Sequence, residues 1–201
     1  MEKELQQPVR SSAAAAMAKG PESDTELHGP FLETVWNQCN PYNLLCPADP
    51  DGSQYYDYRA AVGCVPAAYA QVLAFHRWPV RGQGAHAYTY GDGSITGVHS
   101  VVFSDDYAWD RMQEDYDPWD TNPDPENDAI AELMYELGVA AEANYESGGT
   151  SSSTMTLGNR LGNYYYGSID AHYSQSELIT PLEADLRAGF PCIVSIPGLP
   201  L

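Results

Sequence analysis

The sequence predicts an α+β fold, and three observations carry that expectation. Helical apolar stripes recur along the chain, a Gly-, His-, Tyr- and Ser-rich stretch between them suits short strands, and an apolar run near the end suits a buried strand. At 201 residues, with 43% hydrophobic and 18% charged side chains, the chain is long enough to bury one core.

From about Gly29 to Arg59 the sequence is loop-like, with Pro41, Pro47, Pro50 and the turn pair Asp51-Gly52. Its character changes at Ala60. Val65, Ala68, Tyr69, Val72 and Leu73 fall at i, i+3, i+4, i+7 and i+8, the stripe of a core helix running to His76. Pro66 sits near its start, where a missing N–H costs nothing, and Pro79 closes it after Trp78. Residues 80–104 are expected to be loops and short strands.

Residues 105–128 hold ten acidic residues against one arginine, with Pro118, Pro123 and Pro125. A short helix is expected around Trp109 and Met112. A second long helix follows, with Ile130, Leu133, Met134 and Leu137 on one face and Gly138 as its stop. The Gly/Ser segment Ser147–Ser153 leads into a helix through Leu157 and Leu161. A further helix carries Leu178, Leu182 and Leu186 on one face, with Ser174 and Glu177 as a capping box and Gly189 as its end. Cys192–Ile196 is expected to be a buried strand.

Charge narrows the function classes. Nine Lys plus Arg against 28 Asp plus Glu give a formal charge of −19, and such a surface repels phosphate backbones and anionic lipids. Nucleic-acid and membrane partners are therefore not expected, and no apolar run reaches the roughly 20 residues of a spanning helix. The acidic stretch does not fit an EF-hand. Counted from Asp120, the sixth and twelfth positions are Pro125 and Ala131, where that loop needs Gly and Glu. Cys39, Cys46, Cys64 and Cys192 contain no CxxC pair, so neither a metal nor another cofactor is expected. Cys39 and Cys46 are close enough in sequence for a loop disulfide, and thiol and disulfide both remain open.

A thiol becomes a nucleophile by losing its proton, and a helix N-terminus favours the resulting negative charge. Cys64, preceded by Gly63 where irregular chain becomes the first long helix, has that setting. Gly63 would also leave room for a substrate backbone. A lone cysteine on a helix is more often a core residue, but its surroundings here are specific. Trp36-Asn37-Gln38, Pro41-Tyr42-Asn43-Leu44-Leu45, Ala61-Val62-Gly63-Cys64-Val65, Ala70-Gln71-Val72 and His76-Arg77-Trp78-Pro79 follow one another. Tyr107-Ala108-Trp109-Asp110, Ala129–Met134 with Leu137-Gly138-Val139, Tyr145 and Leu186–Pro191 continue the pattern. Together they resemble the streptopain family of papain-like cysteine peptidases, from about Phe31 to Gly198.

The resemblance implies a papain-like fold, with a helical half around the Cys64 helix and a mostly antiparallel sheet half beginning near residue 190. It implies a protein or peptide substrate, secretion, Cys64 as the catalytic nucleophile, and Gln38 as the side-chain donor of the oxyanion hole. The Ser147–Ser153 loop resembles one bordering the family's cleft. Residues 29–201 would form the peptidase domain with its C-terminal part missing, and residues 1–28 a flexible leader or pro-segment remnant without the leucine-rich core of a signal peptide. The sequence departs from the family in one respect. The family's base histidine stands in a Gly-His-Ala setting and an orienting tryptophan in Gly-Trp-Gly, and neither motif occurs in the 201 residues. His76 is twelve residues along the Cys64 helix, about 18 Å away, and His86, His99 and His172, in polar loop contexts, match no family motif. Two functions follow: a cysteine endopeptidase whose base comes from a complementary C-terminal segment, or a non-catalytic papain-fold fragment that binds peptides or a partner.

Overall fold

The computed structural model describes residues 29–90, 95–120, 124–168 and 175–195. Four helices and two antiparallel ribbons occupy them: α1 (Cys64–His76), β1 (Ala85–Tyr90), β2 (Gly97–Val102), α2 (Pro125–Ala140), β3 (Asn144–Glu146), β4 (Gly149–Ser151), α3 (Thr154–Tyr164) and α4 (Gln175–Arg187). A single 3₁₀ turn covers Gln54–Tyr56. The α+β class and the short strands within 80–104 are as the sequence predicts.

α1 starts at Cys64, four residues after the change in character at Ala60, and buries Val65, Tyr69, Ala70 and Leu73. It ends where Arg77 turns left-handed, its N–H donating to the carbonyls of Leu73 and Ala74. α2 packs on α1 and is the most buried helix, with Ile130, Leu133, Met134 and Leu137 inaccessible to solvent. Asp124 caps its N-terminus, its carboxylate accepting the Asn127 N–H at 2.7 Å. That is the structural use of one carboxylate in the acidic stretch. β1 and β2 pair from Ala85 opposite Val102 to Tyr90 opposite Gly97. β3 and β4 pair Asn144 with Ser151, Tyr145 with Thr150 and Glu146 with Gly149.

Some expectations need correcting. Gly138 does not stop α2, which continues to Ala140. A Cβ at Gly138 would sit 2.3 Å from the Tyr145 hydroxyl, so the glycine makes room for β3 rather than ending a helix. Around Trp109 and Met112 the chain forms turns instead of a helix. The carbonyls of Gln113 and Glu114 accept from the Trp36 indole at 2.7 Å and the Val35 N–H at 2.9 Å, bonds that take the place of helical ones. The stretch expected as a loop, Ser147–Ser153, contains the turn between β3 and β4 and all of β4.

Residues 192–195 are not a strand, and Val194 is exposed. No described strand runs beside them, and a strand without a neighbour has no ladder to form. Ile196 and the capping residue Ser174 lie outside the described residues. The end of α4 is as expected, with Gly189 at φ +85° and the Phe190 N–H donating to Asp185 at 2.9 Å. Among the described residues no helix is long and apolar enough to cross a membrane.

Candidate active site around Cys64

Cys64 is the first residue of α1 and is exposed, whereas Cys39 and Cys46 are buried free thiols and Cys192 is half-buried. The N–H groups of Cys64 and Val65 open the helix, where no preceding turn supplies carbonyl acceptors, and Pro66 has none to satisfy. Burial pushes the Cys39 thiol up, and the Cys46 thiol up to about 12. Burial and nearby Asp185 raise Cys192. The structure thus presents one thiol and hides or suppresses the others.

Gln38 reaches this thiol's neighbourhood through the backbone. Its carbonyl accepts the Val62 N–H at 3.1 Å, two residues before Cys64. Behind it, the fully buried Asn43 donates its amide to the carbonyls of Ala60 at 3.2 Å and Tyr56 at 2.9 Å. The Ala60 N–H donates to Pro47 at 2.9 Å. The loop carrying Gln38 is therefore closed onto the strand-like run that feeds Cys64.

The other flank is β4. The Thr150 hydroxyl donates to the Ala61 carbonyl at 2.6 Å. Gly63 adopts φ +98° and ψ 145°, a conformation essentially confined to glycine. A Cβ there would lie 3.1 Å from Thr150 Cγ2 and 3.3 Å from its carbonyl oxygen. The space that Gly63 was expected to leave for substrate is thus filled by Thr150. Nothing in the sequence alone assigns a role to Asn43 or Thr150. Both act through backbone carbonyls distant in the chain, and no local pattern signals such a contact.

The histidines are engaged elsewhere. His86 on β1 bonds through Nε2 to Glu142 at 3.0 Å, beside an Arg160–Glu142 ion pair of 2.8 Å. His99 on β2 is buried, bonds through Nδ1 to the Tyr135 hydroxyl and stacks on Tyr90 at 4.3 Å; burial lowers its pKa. His76 stacks on Phe190 at 6.0 Å. Among the described residues, no imidazole touches the Cys64 sulfur, and His28 and His172 lie outside them.

The sequence and the fold are matched in known proteins. The Peptidase C10 family is matched over residues 36–198. The chain belongs to that family of cysteine peptidases. Streptopain of Streptococcus pyogenes is 30% identical over 131 residues, covering 60% of this chain and 32% of its own. A thiol protease/hemagglutinin of Porphyromonas gingivalis is 35% identical over 92 residues, 41% of this chain and 10% of that one. Among solved structures, the active wild-type interpain A cysteine protease of Prevotella intermedia superposes with a TM-score of 0.68 at 29% identity, covering 81% of this chain and 66% of its own. The chain thus spans about a third of the streptopain length and two-thirds of the interpain A chain. The shared α+β fold is that of a papain-like cysteine protease.

Proposed function

We propose that this chain carries the nucleophile of a secreted cysteine endopeptidase, export being what the family resemblance implies. In this reading residues 29–201 belong to the peptidase domain and residues 1–28 precede it as a leader or pro-segment remnant. The observation that carries it is the exposed Cys64 at the first position of α1, with the Gln38 loop bonded two residues upstream. The Cys64 thiolate attacks the scissile carbonyl carbon, and the carbonyl oxygen takes up the negative charge. The Cys64 backbone N–H and the Gln38 side-chain amide receive that oxyanion. Collapse expels the amine, protonated by an imidazole, and water then hydrolyses the thioester. The imidazole comes from outside the described residues, and a complementary C-terminal segment with a Gly-His-Ala motif is the source we favour.

The test is hydrolysis of casein by the 201-residue chain with and without such a segment. The chain alone should stay at background, and adding the segment should restore turnover that Cys64→Ala abolishes. In the restored enzyme, Gln38→Ala should lower kcat by about 10²–10³ with KM little changed. Turnover that survives Cys64→Ala refutes the nucleophile. Cys64-dependent turnover by the chain alone would instead assign the base to a histidine within the 201 residues. A second reading, a peptide-binding papain-fold module without turnover, draws on the absence of an imidazole at Cys64 among the described residues. It gains if the added segment restores nothing.

A further inference from the structure

Trp119 is 61% exposed, although it lies in a turn held tightly from both sides. Its backbone N–H donates to the Asp117 carboxylate at 2.9 Å. The buried Asn40 uses its amide to bind the carbonyls on either side of it, Pro118 at 3.0 Å and Asp120 at 2.9 Å. Asn40 is two residues from Gln38. The indole in turn meets the Tyr55 ring at 6.1 Å and 67°. The Tyr55 hydroxyl accepts from Asn37, the residue beside Gln38, at 3.0 Å. The loop that bears Gln38 therefore anchors an aromatic pair through two independent contacts, and leaves the larger ring facing solvent.

We propose that Trp119 and Tyr55 form a ledge on the Gln38 flank of Cys64 that takes a cationic side chain, lysine or arginine, of a polypeptide substrate. This deepens the peptidase reading and rests on it for the word substrate. The charge around the ledge selects the occupant. Asp117, whose carboxylate accepts the Trp119 N–H, is exposed and has no cationic partner among the described residues, within a stretch of ten acids and one arginine. A guanidinium or ammonium over the indole face gains a cation–π contact and the field of those carboxylates. A second copy of this chain, at −19, is repelled from the same surface.

The test measures binding to the full Cys64→Ala chain, so it needs no turnover. Blocked alanine-based hexapeptides carry one arginine, norleucine or glutamate, scanned through each position. The best arginine peptide should bind about 5–10-fold tighter than its norleucine counterpart, with glutamate weakest. Trp119→Ala should reduce that ratio to about 2 or less, and Trp119→Phe should keep most of it. An arginine-to-norleucine ratio near one in the parent overturns the proposal, as does an unchanged ratio in Trp119→Ala. Location is read on the native chain. Saturating arginine peptide should slow iodoacetamide capture of Cys64 about 5-fold or more, and undiminished capture overturns the placement beside Cys64. A restored enzyme that hydrolyses nothing overturns the peptidase reading, while the arginine preference and its loss on Trp119→Ala are still read from binding.

Discussion

Replacing Gly63 with alanine should destabilise the chain and disturb Cys64 together, and the size follows from two separate costs. The first is conformational. At φ +98° and ψ 145° a side chain meets its own backbone, at about 1–3 kcal/mol. The second is crowding, because the new Cβ lies 3.1 Å from Thr150 Cγ2, 3.3 Å from the Thr150 carbonyl and 3.5 Å from Pro66 Cδ. Neither the backbone carbonyl nor the proline ring can rotate away, so β4 must shift, and a further ~1 kcal/mol is expected. The sum is about 3 kcal/mol. Urea unfolding followed by tryptophan fluorescence, with a slope of about 2 kcal/mol per molar, should show the midpoint falling by about 1.5 M. Thr150→Ser separates the costs, since it removes Cγ2 and keeps the hydroxyl that donates to Ala61. Combined with Gly63→Ala it should recover part of the crowding cost and none of the conformational cost, a coupling that a double-mutant cycle isolates. A Gly63→Ala midpoint within about 0.2 M of the parent would refute this account of the turn.

Alkylation should follow exposure and burial: iodoacetamide at pH 8 should label Cys64 first, and mass mapping that finds Cys39 or Cys46 labelled faster would contradict the fold. Cys46, pushed up to about 12, is ionised in only about one molecule in 10⁴ at that pH. Glu136 is buried on α2, accepts the Tyr107 hydroxyl, and has its carboxyl raised by burial to about 7. Between its unfolded value near 4.5 and about 7 the folded state holds a proton that the unfolded state has released, so its contribution is full below 4.5 and lost as pH rises through 7. From pH 5 to 8 the parent should lose about 2–3 kcal/mol more than Glu136→Gln, read as urea midpoints, and parallel pH curves for the two proteins would sink this assignment.

The long helices were legible because their evidence is local. The stripes Val65–Leu73 and Ile130–Leu137 announce one buried face each; Val65, Tyr69 and Leu73 of the first are buried with Ala68 and Val72 half-buried, and all four residues of the second are buried. The errors arose where tertiary contact overrode a local rule. Gly138 has the composition of a helix stop, but its role is set by the Tyr145 hydroxyl across the turn to β3. Cys192–Ile196 has the composition of a buried strand, but residues 192–195 have no described strand to pair with. At the site, motifs on their own segments single out Cys64 and Gln38 as candidates. Asn40, Asn43 and Thr150 were given no role, because each acts on backbone carbonyls whose positions in the sequence carry no signature.

Two of those side chains, Asn43 and Thr150, together with two backbone bonds explain how a strained turn can persist beside an exposed thiol. Gly63 itself has no side chain to hold it, and α1 gains no side-chain cap from it. The run from Ala60 to Val62 is instead fixed residue by residue: Asn43 and Pro47 bind Ala60, Thr150 binds Ala61, and Gln38 binds Val62. These bonds constrain three consecutive peptide groups, and the Ala61–Val62 group is held from opposite flanks, its carbonyl by Thr150 and its N–H by Gln38. Backbone strain of about 1–3 kcal/mol survives where the surroundings over-determine it, and here the surroundings are the Gln38–Pro47 loop and strand β4. Loosening one flank should therefore let the turn relax toward ordinary β geometry, carrying the first N–H groups of α1 with it. The orientation of Cys64 is thus a property of the packing of β4 and the Gln38 loop against one another's carbonyl partners, and helix propensity in α1 has little part in it.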